Sequence, residues 1–210
     1  MNSLNQMLKD FEKSIAPFYE EHENTFDLES FHGRFHIIRC LLLGHFLIDI
    51  YQKEGVEVDS RQVYYSIAFH DIARENNGVD IWENESTRRC KNFLIHEKSW
   101  NADLAIRTSE LILKKRPFSI EGQILYDADV LDYNRFFILE EEKELFDESR
   151  LICFGDLDPF IKHSKYRNEA IVLSRYLVDQ SFNIPIQTDT NNLISAMKSI
   201  YSDFLSFNLK

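Results

Sequence analysis

Glycine and proline are scarce, at 6 and 4 in 210 residues, less than half the share of about 12% usual for the pair. So few turn formers exclude a many-stranded all-β chain, a collagen and a flexible linker protein. Cysteine is also sparse. Cys40, Cys90 and Cys153 lie far apart with no CxxC pairing, an odd set that points to reduced thiols in a cytoplasmic setting. The opening MNSLNQMLKDFEKS has no apolar signal core. No long apolar run appears either. The most apolar stretch, 37–50, contains Arg39, His45 and Asp49 and is short of the about 20 residues that span a bilayer, so a buried helix is expected and no membrane. Positive charge is in deficit, with Lys+Arg 24 against Asp+Glu 35 and a formal charge of −11. That excludes non-specific binding to a nucleic-acid duplex or an anionic membrane, since both need a positive field. A small anionic substrate stays possible, because a few local arginines and a metal can outweigh the global charge.

What the chain has in quantity is apolar and aromatic mass: 44% hydrophobic residues, with 17 Phe and 9 Tyr. This is enough for a sizeable core and excludes disorder. The dominant period is helical. Phe11, Ile15 and Phe18 follow i, i+4, i+7, with Pro17 expected to end or kink that helix. A long helix is expected over about 28–53, stopped at Glu54-Gly55, and Asp59 and Ser60 are N-cap candidates for a helix carrying Val63, Tyr64, Ile67 and Ala68 inward. Asn76-Asn77-Gly78 is a turn signal. Further helices are expected over about 81–96, 101–115, 119–137, 158–180 and 189–207, with Pro117 dividing 101–115 from 119–137 and Glu140 to Glu144 forming a solvated acidic face. Ser149 to Phe154 is ambiguous and leaves room for a small strand. The expectation is one all-α domain over 1–210 with about seven to nine helices.

Most of the histidines stand alone; His22, His45, His96 and His163 are expected at the surface or the core edge. Three differ by their company. His70-Asp71 follows the apolar Ile67-Ala68-Phe69, where two titratable groups are costly to bury unless paired or ligated. His32 and His36 are i, i+4 and share a helix face, which suits a metal, although an exposed pair beside a helix N-terminus is the commoner case. Asp127 and Asp129 are about 200° apart on a helix, whereas Asp129 and Asp132 share a face. Acidic residues among Ile124, Leu125, Val130 and Leu131 call for a cation, Arg135 or both.

The order His36 … His70-Asp71 … Asp129 resembles the H…HD…D signature of the HD-domain superfamily of metal-dependent phosphohydrolases. HGRFHIIRCLLL is similar to that family's HGxxHxxRVLxL helix, IAFHDIARENNGVD to its AxxHDxxR segment, and DADVLDYNR to its DADxLDxxR helix. The resemblance spans His32 to Arg135, about half of the chain, and implies an HD-like helical bundle with its motif core over about 28–137 and C-terminal helices over about 157–207. It implies that His36, His70, Asp71 and Asp129 hold a divalent transition metal (Mn, Fe, Co, Ni or Zn, with Mg possible), a set of nitrogen and oxygen donors that suits these ions better than calcium. Asp71 would also orient the attacking water. His32, Arg74 and Arg135 are the substrate-side candidates, with a salt bridge to a carboxylate the simpler expectation for Arg39 and Arg135. Glu83 stands where relatives carry a further histidine and is a candidate general acid, a ligand or a helix cap. Asp103 to Lys115 holds no histidine, which weighs against a second metal and against the GYP subclass. Lys114-Lys115-Arg116 either attracts an anion or complements a helix end. The implied activity is hydrolysis of a nucleotide or other small phosphate ester. The alternatives are a degenerate domain that binds metal and nucleotide as a sensor or scaffold without turnover, and a metal-free scaffold whose C-terminal aromatics, Phe160 to Phe207, dock a partner.

Overall fold

In a computed structural model, the structure describes residues 3–78, 81–116, 118–137, 139–154 and 162–208. The protein is all-α, with no strand among the described residues. The α-helices are α1 (Ser3–Asp10), α2 (Ala16–Thr25), α3 (Arg34–Lys53), α4 (Ser60–Phe69), α5 (Glu83–His96), α6 (Ala102–Glu110), α7 (Ile120–Asp132), α8 (Lys162–Ser181) and α9 (Thr190–Asn208). Pro17 does not end the first helix. A π-helical turn, Phe11–Ile15, precedes it, and its wider hydrogen-bond ring absorbs the donor that proline lacks, so α1 and α2 run on as one rod.

The centre of the bundle is α3. It packs on α4, α7, α8 and α9, and residues on every side of it, from Phe35 to Tyr51, are buried. At 20 residues it is long and apolar enough to cross a membrane by composition, longer than the apolar run alone suggested, but 83% of that window is buried inside the protein. A helix apolar all round is buried in a core or a bilayer; here the neighbouring helices do the burying. Gly44 lets α4 close in, since a Cβ there would stand 2.5 Å from Ile67 Cδ1. Gly55, at φ +79, completes the stop at Glu54.

The start of α3 differs from the sequence expectation. Leu28 is 69% exposed and the helix begins only at Arg34. Asp27, fully buried, accepts the backbone N–H groups of Phe31 and His32 at 2.9 and 2.8 Å, so its side chain holds the chain in a turn that competes with helix. Elsewhere the caps fall where expected, with Asp59 accepting from the Arg61 N–H. Ser149 to Phe154 forms no strand; Glu148–Arg150 is a 3-10 turn. The expected helix near 158–180 begins by Lys162, while Phe160 and Pro117 lie outside the described residues. Leu173, Leu177, Leu193, Met197 and Phe204 of α8 and α9 are buried in the same core as α3, so these helices belong to the body of the fold; Phe182 and Phe207 are exposed. His22, expected at a surface or core edge, is buried against Tyr19 and Phe26.

Arg34 ties the chain's two ends to this centre. Its Nε donates to Glu23 Oε2 at 2.6 Å, and its terminal nitrogens donate to Thr188 O, Ile186 O and Thr190 Oγ1. Glu23 and Arg34 are both buried. Removing one partner of a buried pair leaves an uncompensated charge. Arg34→Ala is expected to lower unfolding stability by about 3–5 kcal/mol, measured by denaturant titration; a loss below about 1 kcal/mol would mean that the pair behaves as an exposed one.

Candidate metal centre

Three helix ends converge on one spot. His36 lies in the first turn of α3, whose entry the Asp27 turn fixes. His70 caps the C-terminus of α4, with its N–H on Ile67 O, and Asp71 follows in the turn. Asp129 comes from the last turns of α7. The Nε2 atoms of His36 and His70 are 3.1 Å apart. Asp71 Oδ2 and Asp129 Oδ1 each stand 3.6 Å from both of those nitrogens. For donor–metal bonds of about 2.0–2.2 Å, adjacent donors lie about 3.0–3.5 Å apart, so the observed spacings are those of neighbouring ligands around one ion. His36, His70 and Asp71 form a buried group that can hold a metal ion, and so do His36, Cys40 and Asp129.

The far side of each imidazole is already engaged. His36 Nδ1 is 2.7 Å from Asp132 Oδ2 and His70 Nδ1 is 2.7 Å from Ile67 O. Both outer partners accept, so each Nδ1 carries the proton and each Nε2 presents its lone pair inward, the tautomer that metal ligation requires. Each ligand carboxylate is divided in the same way. Asp71 turns Oδ1 to Arg74 Nε at 3.0 Å, and Asp129 turns Oδ2 to Lys114 Nζ at 2.7 Å.

Burial disfavours ionisation of both carboxylates, but the surrounding cations outweigh it. His70, Arg74 and His36 hold the Asp71 carboxyl below the usual range, and Lys114 and His70 do the same for Asp129. Burial and the Arg135 guanidinium lower His36 to about 3. Burial works against charging His70, yet Asp71 and Asp129 raise it. Without a metal, the imidazole pair therefore favours one proton beyond those on the two Nδ1 atoms, on His70.

The remaining sequence candidates separate. His32, half-buried, sits at the rim with Nδ1 3.1 Å from Asn77 Oδ1 and its ring 6.0 Å from that of His36. Arg74 orients Asp71 and reaches Gly78 O at 3.4 Å. Arg135, a substrate-side candidate for which a salt bridge is the simpler expectation, donates to Asp132 at 3.2 Å and stacks over Phe136; Arg39, with the same expectation, forks onto Asp132 at 2.6 and 3.0 Å. Both arginines thus serve the Nδ1 side of His36, across the ring from the Nε2 pair. Glu83 joins no ligand group. It stands in the first turn of α5, behind Trp82 at the N-cap, where its charge suits the helix dipole. Asp127 accepts the Ile152 and Cys153 N–H groups and so braces the segment after α7.

Sequence reasoning missed the roles of Asp132 and Cys40 at His36 and the pairing of Lys114 with Asp129. Asp132 shares a face with Asp129, but its role as the partner of His36 depends on α3 packing against α7. Cys40, with Sγ 3.5 and 3.9 Å from the two His36 nitrogens, was signalled only by its i+4 spacing. Lys114 comes from a turn whose path the sequence does not announce.

The comparisons with known proteins find no match to a family model, to a curated protein or to a solved structure.

Two outcomes follow from the geometry. Asp132→Asn removes the charged acceptor that orients His36 and is expected to weaken Mn2+ binding by about 10–100-fold, read by metal titration; unchanged affinity would remove Asp132 from the site. The metal-free pair holds one proton when folded and either two or none when unfolded. With an unfolded imidazole pKa of about 6.5, its contribution to stability is greatest near that pH. It falls on acidification, as unfolded His36 takes up its proton, and falls on alkalinisation through the raised value of His70. Metal displaces that proton, so Mn2+ uptake at pH 6.5 is expected to release about one proton, measured by calorimetry in buffers of different ionisation enthalpy. Uptake without release would contradict the shared-proton pair.

Proposed function

We propose that the protein is a metal-dependent phosphohydrolase of the HD-domain type, acting on a nucleotide or other small phosphate ester. The observation that carries the proposal is the pair of inward Nε2 atoms 3.1 Å apart, flanked by two carboxylate oxygens at 3.6 Å. The resemblance of the three sequence segments supports it, since the residues they designate, His36, His70, Asp71 and Asp129, are the ones that meet. Two imidazoles and two carboxylates favour Mn, Fe, Co, Ni or Zn, with Mg a weaker fit.

A divalent cation bound there supplies an acidified water and Lewis-acid polarisation of a phosphate oxygen. The protein's own groups do the rest. Asp71, fixed by Arg74 and ionised, accepts a hydrogen bond from the attacking water and aims it. Burial of His36, His70 and Asp71 keeps bulk water from their inner atoms and strengthens every charge interaction among them. His32 stands at the rim, where a neutral or protonated imidazole meets the leaving oxygen.

The absence of histidine between Asp103 and Lys115 favours a single cation. It also keeps open a second reading, a domain that binds metal and nucleotide as a sensor without turnover. Protein purified without chelator is expected to carry near-stoichiometric transition metal. It should release phosphate from at least one member of a panel of nucleoside mono-, di- and triphosphates, cyclic nucleotides and sugar phosphates. His70→Ala and Asp71→Ala should each lose about 100-fold or more of that rate, about 3 kcal/mol in barrier. Full activity in both variants would refute the assignment; tight nucleotide binding with no turnover across the panel would favour the sensor.

A further inference from the structure

The cluster meets solvent at one corner. The side chains of His36, His70 and Asp71 are 0, 2 and 3% exposed, against 16% for Asp129. Over that corner lies Lys114, 21% exposed, with Nζ 2.7 Å from Asp129 Oδ2. Arg74, the cation on the other ligand carboxylate, is 6% exposed and lies deeper.

The backbone at this position does not favour a lysine. Residue 114 closes the 3-10 turn Leu111–Leu113 with φ 50 and ψ 37, a left-handed conformation that costs a residue with a Cβ about 1–2 kcal/mol and where glycine is the usual choice. The ion pair with Asp129 offsets that strain, and it sets the ammonium at the edge of the cluster. The charge pattern supplies a further reason for a lysine. Arg74 and Lys114 balance the two ligand carboxylates one for one, so a divalent cation leaves this corner strongly positive in a chain of net charge −11. A small anion is drawn to this corner while the surface repels it.

We propose that Lys114 is a substrate-binding residue whose ammonium, held at the open edge by Asp129, takes a non-bridging oxygen of a phosphoryl group entering the site. A charge-assisted bond of this kind suits a compact cation with three donors. The proposal rests on the metal-centre reading above and assigns a basic group at the edge of the site.

The test is calorimetric titration of inorganic phosphate onto wild type, Lys114→Gly and Lys114→Met, each with and without Mn2+. Elemental analysis and a melting curve accompany each protein. Glycine suits φ 50, so Lys114→Gly is expected to melt no lower than wild type; Lys114→Met keeps the stem and loses only the charge. Both variants should retain Mn2+ and bind phosphate about tenfold more weakly or worse. Phosphate binding within twofold of wild type would overturn the proposal. So would loss of Mn2+ in step with phosphate, which would make Lys114 only a prop for Asp129. Failure of the wild type to take up Mn2+ strikes the metal-centre reading instead, and the metal-free titrations then still read the contribution of Lys114.

Discussion

Two imidazole lone pairs aimed at each other across 3.1 Å repel unless something positive lies between them. The two carboxylate oxygens beside them add to that demand. A proton on His70 meets it partly; a divalent cation at the centre meets it for all four groups. Such an arrangement persists in a folded protein only when the surrounding structure enforces it. Here the enforcement is visible: the Asp27 turn sets the start of α3, Ile67 O holds the ring of His70, and the last turns of α7 bring up Asp129 and Asp132 together. The apolar burial of α3 is what lets three helix ends keep these positions.

The charges around the centre are layered. The inner layer is neutral imidazole and ionised carboxylate. Behind it stand Arg39 and Arg135 on Asp132, Arg74 on Asp71 and Lys114 on Asp129. Each inner group is thereby oriented by a partner that leaves one donor atom facing inward. Such outer partners fix tautomer and geometry at ligand sites. The arrangement also reconciles an acidic protein with an anionic substrate, because Arg39, Arg74, Lys114 and Arg135 offset Asp71, Asp129 and Asp132 locally, before any cation is added.

Much of this was legible in the sequence. The helical period, the cap at Asp59 and the stop at Gly55 are local effects of one or two residues on their own backbone, and local effects read well from a single chain. His36, His70, Asp71 and Asp129 stood out as a set through the resemblance of three segments; the residues alone showed only titratable groups set among apolar ones. What stayed hidden was set by tertiary contact. The start of α3 was misplaced because Asp27, five residues from His32, competes with the helix through its side chain. The salt bridge of Arg135 was the simpler expectation, but nothing in the sequence said that its partner would be Asp132, behind His36. Lys114 looked like part of a basic helix end until the left-handed turn at residue 114 brought its ammonium to Asp129, 15 residues away.

The most direct test is the anomalous scattering of crystals grown with Mn2+. A single peak bonded by His36 Nε2, His70 Nε2 and oxygens of Asp71 and Asp129, at about 2.0–2.3 Å, is the predicted result. A map with no peak there, and the two imidazoles still hydrogen-bonded to one another in saturating Mn2+, would contradict it.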